Sequence, residues 1–329
     1  MINSIIRFSV KQKFVIALLV LGLIGWGLSS LSRLPIDAVP DITNNQVQVV
    51  TISPSLAPRE MEQYVTYPVE LAMSNLPGVE HIRSVSRYGL SVVTLVFRED
   101  IPALDARQLV NEQIQAISSE IPEGFGTPEM MPITTGLGEI FQYTLDVKPG
   151  YEDRYDLSEL RSIQDWIVKR YLSGIPGVVE ISSFGGFLKQ YEVSIDPRRL
   201  LSADVSINEI YDALAANNQN TGGSYIEQGN NALYIRSEGL IGTPEDIRQI
   251  IIRREGGVPL RISDVAEVRY GYAPRFGALT RNGEGEAAGG ITLMLKGANS
   301  NEVIGRVKER ISQVEKTLPE GVVIKSYLD

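Results

Sequence analysis

Apolar positions along the chain fall into continuous, alternating and helically spaced runs. The continuous run is Phe14 to Leu31 (FVIALLVLGLIGWGLSSL), which carries no charge. At about 1.5 Å per residue it makes a helix of roughly 27 Å, close to a bilayer core of about 30 Å. Arg7, Lys11 and Lys13 precede it; Arg33 comes after it, with Asp37 and Asp41 close behind. The basic excess on the N-terminal side places the N-terminus in the cytoplasm. A cleaved signal peptide is the competing reading, because Phe14 to Ile24 has the length of an h-region, but GLSSLSRLP is a poor small-x-small site. Both readings export the chain beyond Arg33. With no second run of this kind, the chain as written crosses once.

The remaining runs repeat. Leu76-Pro77-Gly78-Val79 closes a helical pattern and opens a strand pattern, and Ile175-Pro176-Gly177-Val178 does the same ninety-nine positions on. Pro122-Glu123-Gly124 is echoed by Pro319-Glu320-Gly321 at the longer offset of 197, so the second copy holds an insertion of about 98 residues (197 less 99).

The first copy predicts a strand over Gln46 to Ser53, then a helix opening near Pro58. Met61, Val65, Val69, Ala72 and Leu76 form its apolar face. Pro68 should kink it, at a cost of about 3 kcal/mol. A hairpin around Tyr88-Gly89, a second helix marked by Leu109, Val110, Ile114, Ile117 and Ile121, and a short strand after Gly126 complete the unit. This is the order of a split βαβ, ferredoxin-like βαββαβ fold.

The second copy begins at Ile140 to Val147. Asp156 and Glu159 make a capping-box-like helix start, and Leu160, Ile163, Ile167 and Tyr171 give that helix its apolar face. Val178 to Phe184 is the next strand. The chain returns from the insertion at about Gly290 to Leu295. The next helix faces the core with Val303, Val307, Ile311, Val314 and Leu318, and Val322 to Ser326 closes the sheet. The insertion, about 187 to 275, reads as an α+β subdomain of its own. Ser206 and Glu209 cap one helix and Thr243-Pro244 starts another. The polar, Gly/Asn-rich stretch between them, Asn217 to Arg236, is either a projecting hairpin or a solvated loop.

Composition narrows the function more by exclusion than by pointing. At 43% hydrophobic and 22% charged, most of the chain should fold as an ordinary globule. The net charge of −9 disfavours nucleic-acid partners. Without cysteine there are no disulfides, thiolate zinc sites or Cys nucleophiles. The single histidine, His81, lies in an alternating strand and reads as structural or surface. Gly283 to Gly289 (GEGEAAG) lacks the spacing of a phosphate loop, and neither a Walker A sequence nor a G-x-S-x-G elbow occurs. No cofactor is expected, and a secreted enzyme is the poorest reading. Acidic residues are what remain. Glu139 and Glu180 open the first and second strands of the second copy. Those strands run parallel with one strand between them, so the carboxylates can share an edge roughly 10 Å apart and bind a divalent cation. From the residues alone they are more readily read as solvated strand ends.

Several stretches go beyond fold class. RLPIDAVPDIT (Arg33 to Thr43) after an N-terminal anchor, VTYPVE, SRYGLS, RQLVNEQI, TGLGEI (Thr135 to Ile140), IQDW, IPGVVEI and GGFLKQY occur in order along the whole chain. They resemble heavy-metal efflux pumps of the resistance-nodulation-cell division (RND) type, most of all the cobalt–zinc–cadmium resistance subgroup. The resemblance implies an α+β architecture: cytoplasmic N-terminus and transmembrane helix over 1–33, a first porter subdomain over 34–134, a second over 135–186 and 276–329, and an inserted docking subdomain over 187–275. It implies a proton-driven homotrimer in the inner-membrane bilayer, with a periplasmic adaptor and an outer-membrane channel as partners. Glu139 and Glu180 would then be cleft carboxylates for the transported ion. The hairpin carrying Asn217, Gly222, Gly223, Tyr225, Asn230 and Arg236 would reach into a neighbouring protomer. Such pumps are about three times longer, so the chain is expected to be the N-terminal third, lacking the proton-relay acids of a later membrane helix. A singly anchored periplasmic binding module, or an inactive remnant, is the alternative. After Met131 the chain has only Met294. That leans away from Cu(I) and Ag(I), which prefer thioethers, toward Zn(II), Co(II) or Cd(II).

Overall fold

The structure is a computed structural model describing residues 8, 10–31, 43–122, 124–136, 138–228, 231–237, 239–255, 257–275 and 277–329. Arg7, Arg33, Asp37, Asp41 and Asn230 lie outside the described residues, as does most of the stretch from Arg33 to Thr43. Among the described residues one helix, Lys13–Leu31, is long and apolar enough to cross a membrane, and none of it is buried against the rest of the chain.

Beyond that helix the chain mixes helix and sheet. The strands are β1 (Gln46–Ile52), β2 (Val79–Arg87), β3 (Leu90–Phe97), β4 (Glu129–Met130), β5 (Glu139–Val147), β6 (Val178–Gly185), β7 (Lys189–Ile195), β8 (Thr221–Gln228), β9 (Asn231–Ser237), β10 (Ile251–Glu255), β11 (Val258–Arg261), β12 (Ala266–Tyr272), β13 (Leu279–Thr280), β14 (Glu286–Met294) and β15 (Val322–Leu328). The chain divides into two compact units. One takes in residues up to Asp146 with Asp165–Ser183 and Gly289–Asp329; the other is Val147–Gln164 with Phe184–Ala288.

The first unit holds a four-stranded sheet in the order β2-β3-β1-β4, antiparallel throughout, and a sheet in which β6, β14, β5 and β15 lie side by side. In both, the third strand of the repeat lies between the first and second. The core of the first repeat joins Val47, Val49, Val93, Leu95 and Phe97 of the sheet to Met61, Val65, Val69 and Met73 of one helix and Val110, Ile114 and Ile117 of the other. Fully burying each such side chain stabilises the fold by about 1.5–3 kcal/mol.

The first helix of each repeat departs from the expected face. In the first repeat it runs as Pro58–Met61, a π-turn over Glu62–Thr66, and Tyr67–Met73. In the second it runs as Leu157–Ile163, a π-turn over Gln164–Val168, and Lys169–Leu172. The buried positions are therefore every fourth residue: Met61, Val65, Val69 and Met73 in one, Leu160, Gln164, Val168 and Leu172 in the other. Ile163 and Ile167 are only half-buried and Tyr171 is 44% exposed, so the face predicted for the second helix is wrong beyond Leu160. The cause is the extra residue that an i→i+5 bond takes in, which re-phases the helix. The Tyr67 N–H donates to the Glu62 carbonyl in this way. The helix also continues through Pro68, which opens its last segment. Thr66 ties the π-turn down: its hydroxyl donates to the Met61 carbonyl at 3.2 Å and lies 2.8 Å from both Ser86 and Ser91 Oγ.

The second unit packs helices Pro197–Ser202, Ile207–Ala216, Pro244–Arg248 and Ile262–Val265 on the inner half of the β7–β12 ribbon, around Ile210, Ile247, Ile262, Val265 and Val268. Its caps are as the sequence indicates: Ser206 with Glu209, and Thr243 with Asp246. β8 and β9 form a separate antiparallel hairpin.

Candidate functional site

The first unit contains a cavity of about 460 Å³. β1 supplies Val50 and Ile52 as one wall. The same wall continues into the neighbouring strand of the sheet, where β4 sets Val50 beside Glu129 and Val49 beside Met130. The register is carried on by the Met131 N–H, which donates to the Gln48 carbonyl at 2.9 Å. Gly126 makes this approach possible. Its φ is +92°, and a β-carbon there would run into the Ile52 carbonyl, so only glycine fits without strain. Arg107 fixes the far end, donating to the Met131 carbonyl at 2.7 Å, and burial holds its guanidinium below the usual arginine range. The lining is completed by Thr127, Met130, Met131, Pro132 and the half-buried Glu180 of β6.

Glu139 is held differently. It opens β5, is exposed, and accepts from the Gln142 side-chain amide at 2.9 Å. The Tyr327 phenol of β15 is pushed up by burial and, secondarily, by the Glu139 charge. β14 lies between β5 and β6, and its end bonds to the start of each: the Met294 N–H donates to Gly138 and the Leu295 N–H to Gly177, at 2.7 and 2.9 Å. The two strand starts therefore flank one point of β14. Glu180 lines the cavity with Glu129, and Glu139 does not. Among the described residues no three His, Cys, Asp or Glu side chains gather as a metal cage.

Thr43 links the segment before β5 to the residues after β14. The Gly136 N–H donates to the Thr43 hydroxyl at 3.4 Å, and the Lys296 ammonium to the Thr43 carbonyl at 3.3 Å. The sequence singled out Glu180 but not Glu129, Met130 or Met131. Their adjacency comes from the β1–β4 pairing, and a two-residue strand is too short to show periodicity.

In the second unit, Asn217 terminates helix Ile207–Ala216, its amide donating to the Ala213 carbonyl at 2.8 Å. Gly222 stands opposite Arg236, and Tyr225 opposite Tyr234. Gly223 lies in β8, between those two pairs. Tyr225, Ile226 and Leu233 are about half exposed, at 51%, 55% and 50%.

Comparison with known proteins gives the family. The cobalt-zinc-cadmium resistance protein CzcA of Cupriavidus metallidurans is 44% identical over 333 residues, covering 100% of this chain and 31% of that protein. The cation efflux system protein CusA of Escherichia coli K12 is 38% identical, again over 100% of this chain and 31% of that protein. A crystal structure of a heavy metal efflux pump superposes with a TM-score of 0.88 at 33% identity, covering 99% of this chain and 32% of that one. The chain thus spans about a third of the length of the relatives it matches. Residues 5–329 match the AcrB/AcrD/AcrF description, and the chain belongs to that family of RND transporters.

Proposed function

We propose that this chain is part of an inner-membrane, proton-driven pump that exports divalent metal cations, of the zinc, cobalt and cadmium class. The observation that carries the reading is the match over residues 5–329 together with metal-efflux relatives that align along the entire chain. The helix Lys13–Leu31 is the first membrane span, with the N-terminus cytoplasmic and the chain beyond about residue 33 periplasmic. It holds no ionisable group after Lys13, so it anchors the chain and contributes nothing to proton movement. The strand orders β2-β3-β1-β4 and β6-β14-β5-β15 support two ferredoxin-like porter subdomains. The second is interrupted by a docking subdomain whose β8–β9 hairpin reaches a neighbouring copy in a homotrimer. A periplasmic adaptor and an outer-membrane channel complete the export path. The metal is cargo, and no cofactor is needed.

Glu139 and Glu180, on strands that flank the end of β14, are the chain's contribution to the ion path. Two carboxylates are too few for a closed site, so segments outside this chain supply the remaining ligands. Replacing both by glutamine in the full-length pump should cut zinc efflux by about tenfold or more, the loss typical even of a residue that merely supports a metal ligand. Efflux of radioactive zinc from loaded vesicles measures this. Unchanged efflux at equal protein level would make both residues ordinary strand ends.

A further inference from the structure

We propose that the cavity bounded by β1, β4 and the start of β6 binds an unbranched aliphatic polyamine, a cation with two or more protonated nitrogens on a methylene chain. Size is the first argument. About 460 Å³, in a groove open to solvent on the side where Ile52 is 63% exposed, is room for a small organic cation lying along it. A bare divalent ion sits roughly 2.0–2.6 Å from each of four to eight ligand atoms. Here only Glu129 and Glu180 offer carboxylates, and among the described residues no third metal-binding side chain joins them.

The walls are the second argument. Val50, Ile52, Met130, Met131 and Pro132 are apolar. Methylene groups gain by leaving water against such a surface, and the unbranched, polarizable methionine side chains adjust to a flexible guest. Hydrated magnesium gains nothing from these walls.

Charge is the third. Both ionisable groups on the cavity are acidic, and no lysine or arginine lines it. Among the described residues neither carboxylate has a hydrogen-bond or ion-pair partner. Arg107, on the same segment's border, spends its guanidinium on the Met131 carbonyl. Two uncompensated carboxylates on an apolar wall match ammonium groups separated by methylenes, which form charge-assisted hydrogen bonds to each. This binding does not depend on metal export, and either can fail without the other.

The test is equilibrium dialysis of the whole chain in detergent micelles against radiolabelled spermidine at constant ionic strength. One saturable site per chain is expected, not displaced by magnesium at equal charge concentration. Glu180→Gln and Glu129→Gln should each weaken binding about tenfold, the loss of one charge-assisted hydrogen bond. Ile52→Asn should weaken it with the charges intact, while Glu139→Gln, outside the cavity, should leave it unchanged. Circular dichroism of each variant confirms folding; should Glu180→Gln not fold, Glu129→Gln and Ile52→Asn decide. Displacement by magnesium, wild-type binding in the folded cavity variants, or no saturable site would overturn the proposal. So would a Glu180→Gln variant that loses zinc binding but keeps spermidine.

Discussion

The two repeats share a strand order and differ at three places. Both bury every fourth residue of their first helix through a π-turn, and the matched residues Met61/Leu160, Val65/Gln164, Val69/Val168 and Met73/Leu172 are each ninety-nine positions apart. The first repeat joins β2 to β3 through Tyr88-Gly89, whereas the second leaves at Gly185 and returns at Glu286. Loop-closure cost rises by only about 0.6 kcal/mol per doubling of length, so replacing a two-residue turn by some 100 residues costs roughly 3 kcal/mol. The strand order survives because the core holds it, and the connection can therefore accept a folded insert. The other differences are one core position and one helix cap, and each can be tested against its counterpart.

The largest effect should come from the core position. Val65 is fully buried in an all-apolar cluster, and its counterpart Gln164 is equally buried. Val65→Gln puts an amide into a site with no partner built for it and should cost about 3 kcal/mol. Gln164→Val replaces a buried amide by a smaller apolar side chain and should cost less, about 1–2 kcal/mol. Urea unfolding in detergent measures both; equal losses would mean the two helix faces are interchangeable.

Next come the turns. Gly89 and Gly185 both have positive φ, +70° and +67°. A β-carbon on Gly89 would lie 3.3 Å from the Pro54 Cα and the Ser53 carbonyl oxygen, a tight but adjustable contact; on Gly185 it would collide with the Ala287 carbonyl and the Leu279 side chain. Gly89→Ala should cost about 1 kcal/mol, the left-handed penalty alone, and Gly185→Ala at least about 2. The reverse ranking of their thermal midpoints would show that the second repeat's exit is the looser of the two.

Local chemistry was legible in the sequence because it is written within a few residues. Tyr88-Gly89, Ser206 with Glu209, and Thr243 before Pro244 each name their structure. Two things were not. The π-turns hid because a 3.6-residue template fits Leu160, Ile163, Ile167 and Tyr171 as well as any run, although a strict spacing of four at Met61, Val65, Val69 and Met73 is itself the trace of an extra residue. In the cavity, Glu180 was picked out for its chemistry alone. Glu129 and Met131, which line the same space, are set beside β1 by the pairing of strands about eighty positions apart in sequence (129 less 50), which no local pattern encodes.

The cap carries the smallest of the three differences and the only one that pH controls. The first repeat's helix starts at Ala57, which has no side chain to accept a bond; only Glu60 reaches back to the Ala57 N–H, at 3.0 Å. The second starts at Asp156, whose carboxylate accepts from the Ser158 and Glu159 N–H groups, both at 2.8 Å, while Glu159 returns a bond at 3.2 Å. Asp156→Ala should cost about 1 kcal/mol, and Ala57→Asp should recover a similar amount in the first repeat. Burial works to raise the Asp156 pKa, but the bonds from Glu159 and Ser158 outweigh it and hold the carboxyl below its ordinary value. A depressed folded-state pKa means the cap's contribution is complete above the ordinary carboxylate range and fades as pH falls through the lowered value. The gap between wild type and Asp156→Ala should therefore close on acidification, and Ala57→Asp should acquire the same acid sensitivity. Urea midpoints taken from neutral pH down to about pH 3 decide it; a gap that stays constant would mean the Asp156 carboxylate contributes nothing to holding the second helix.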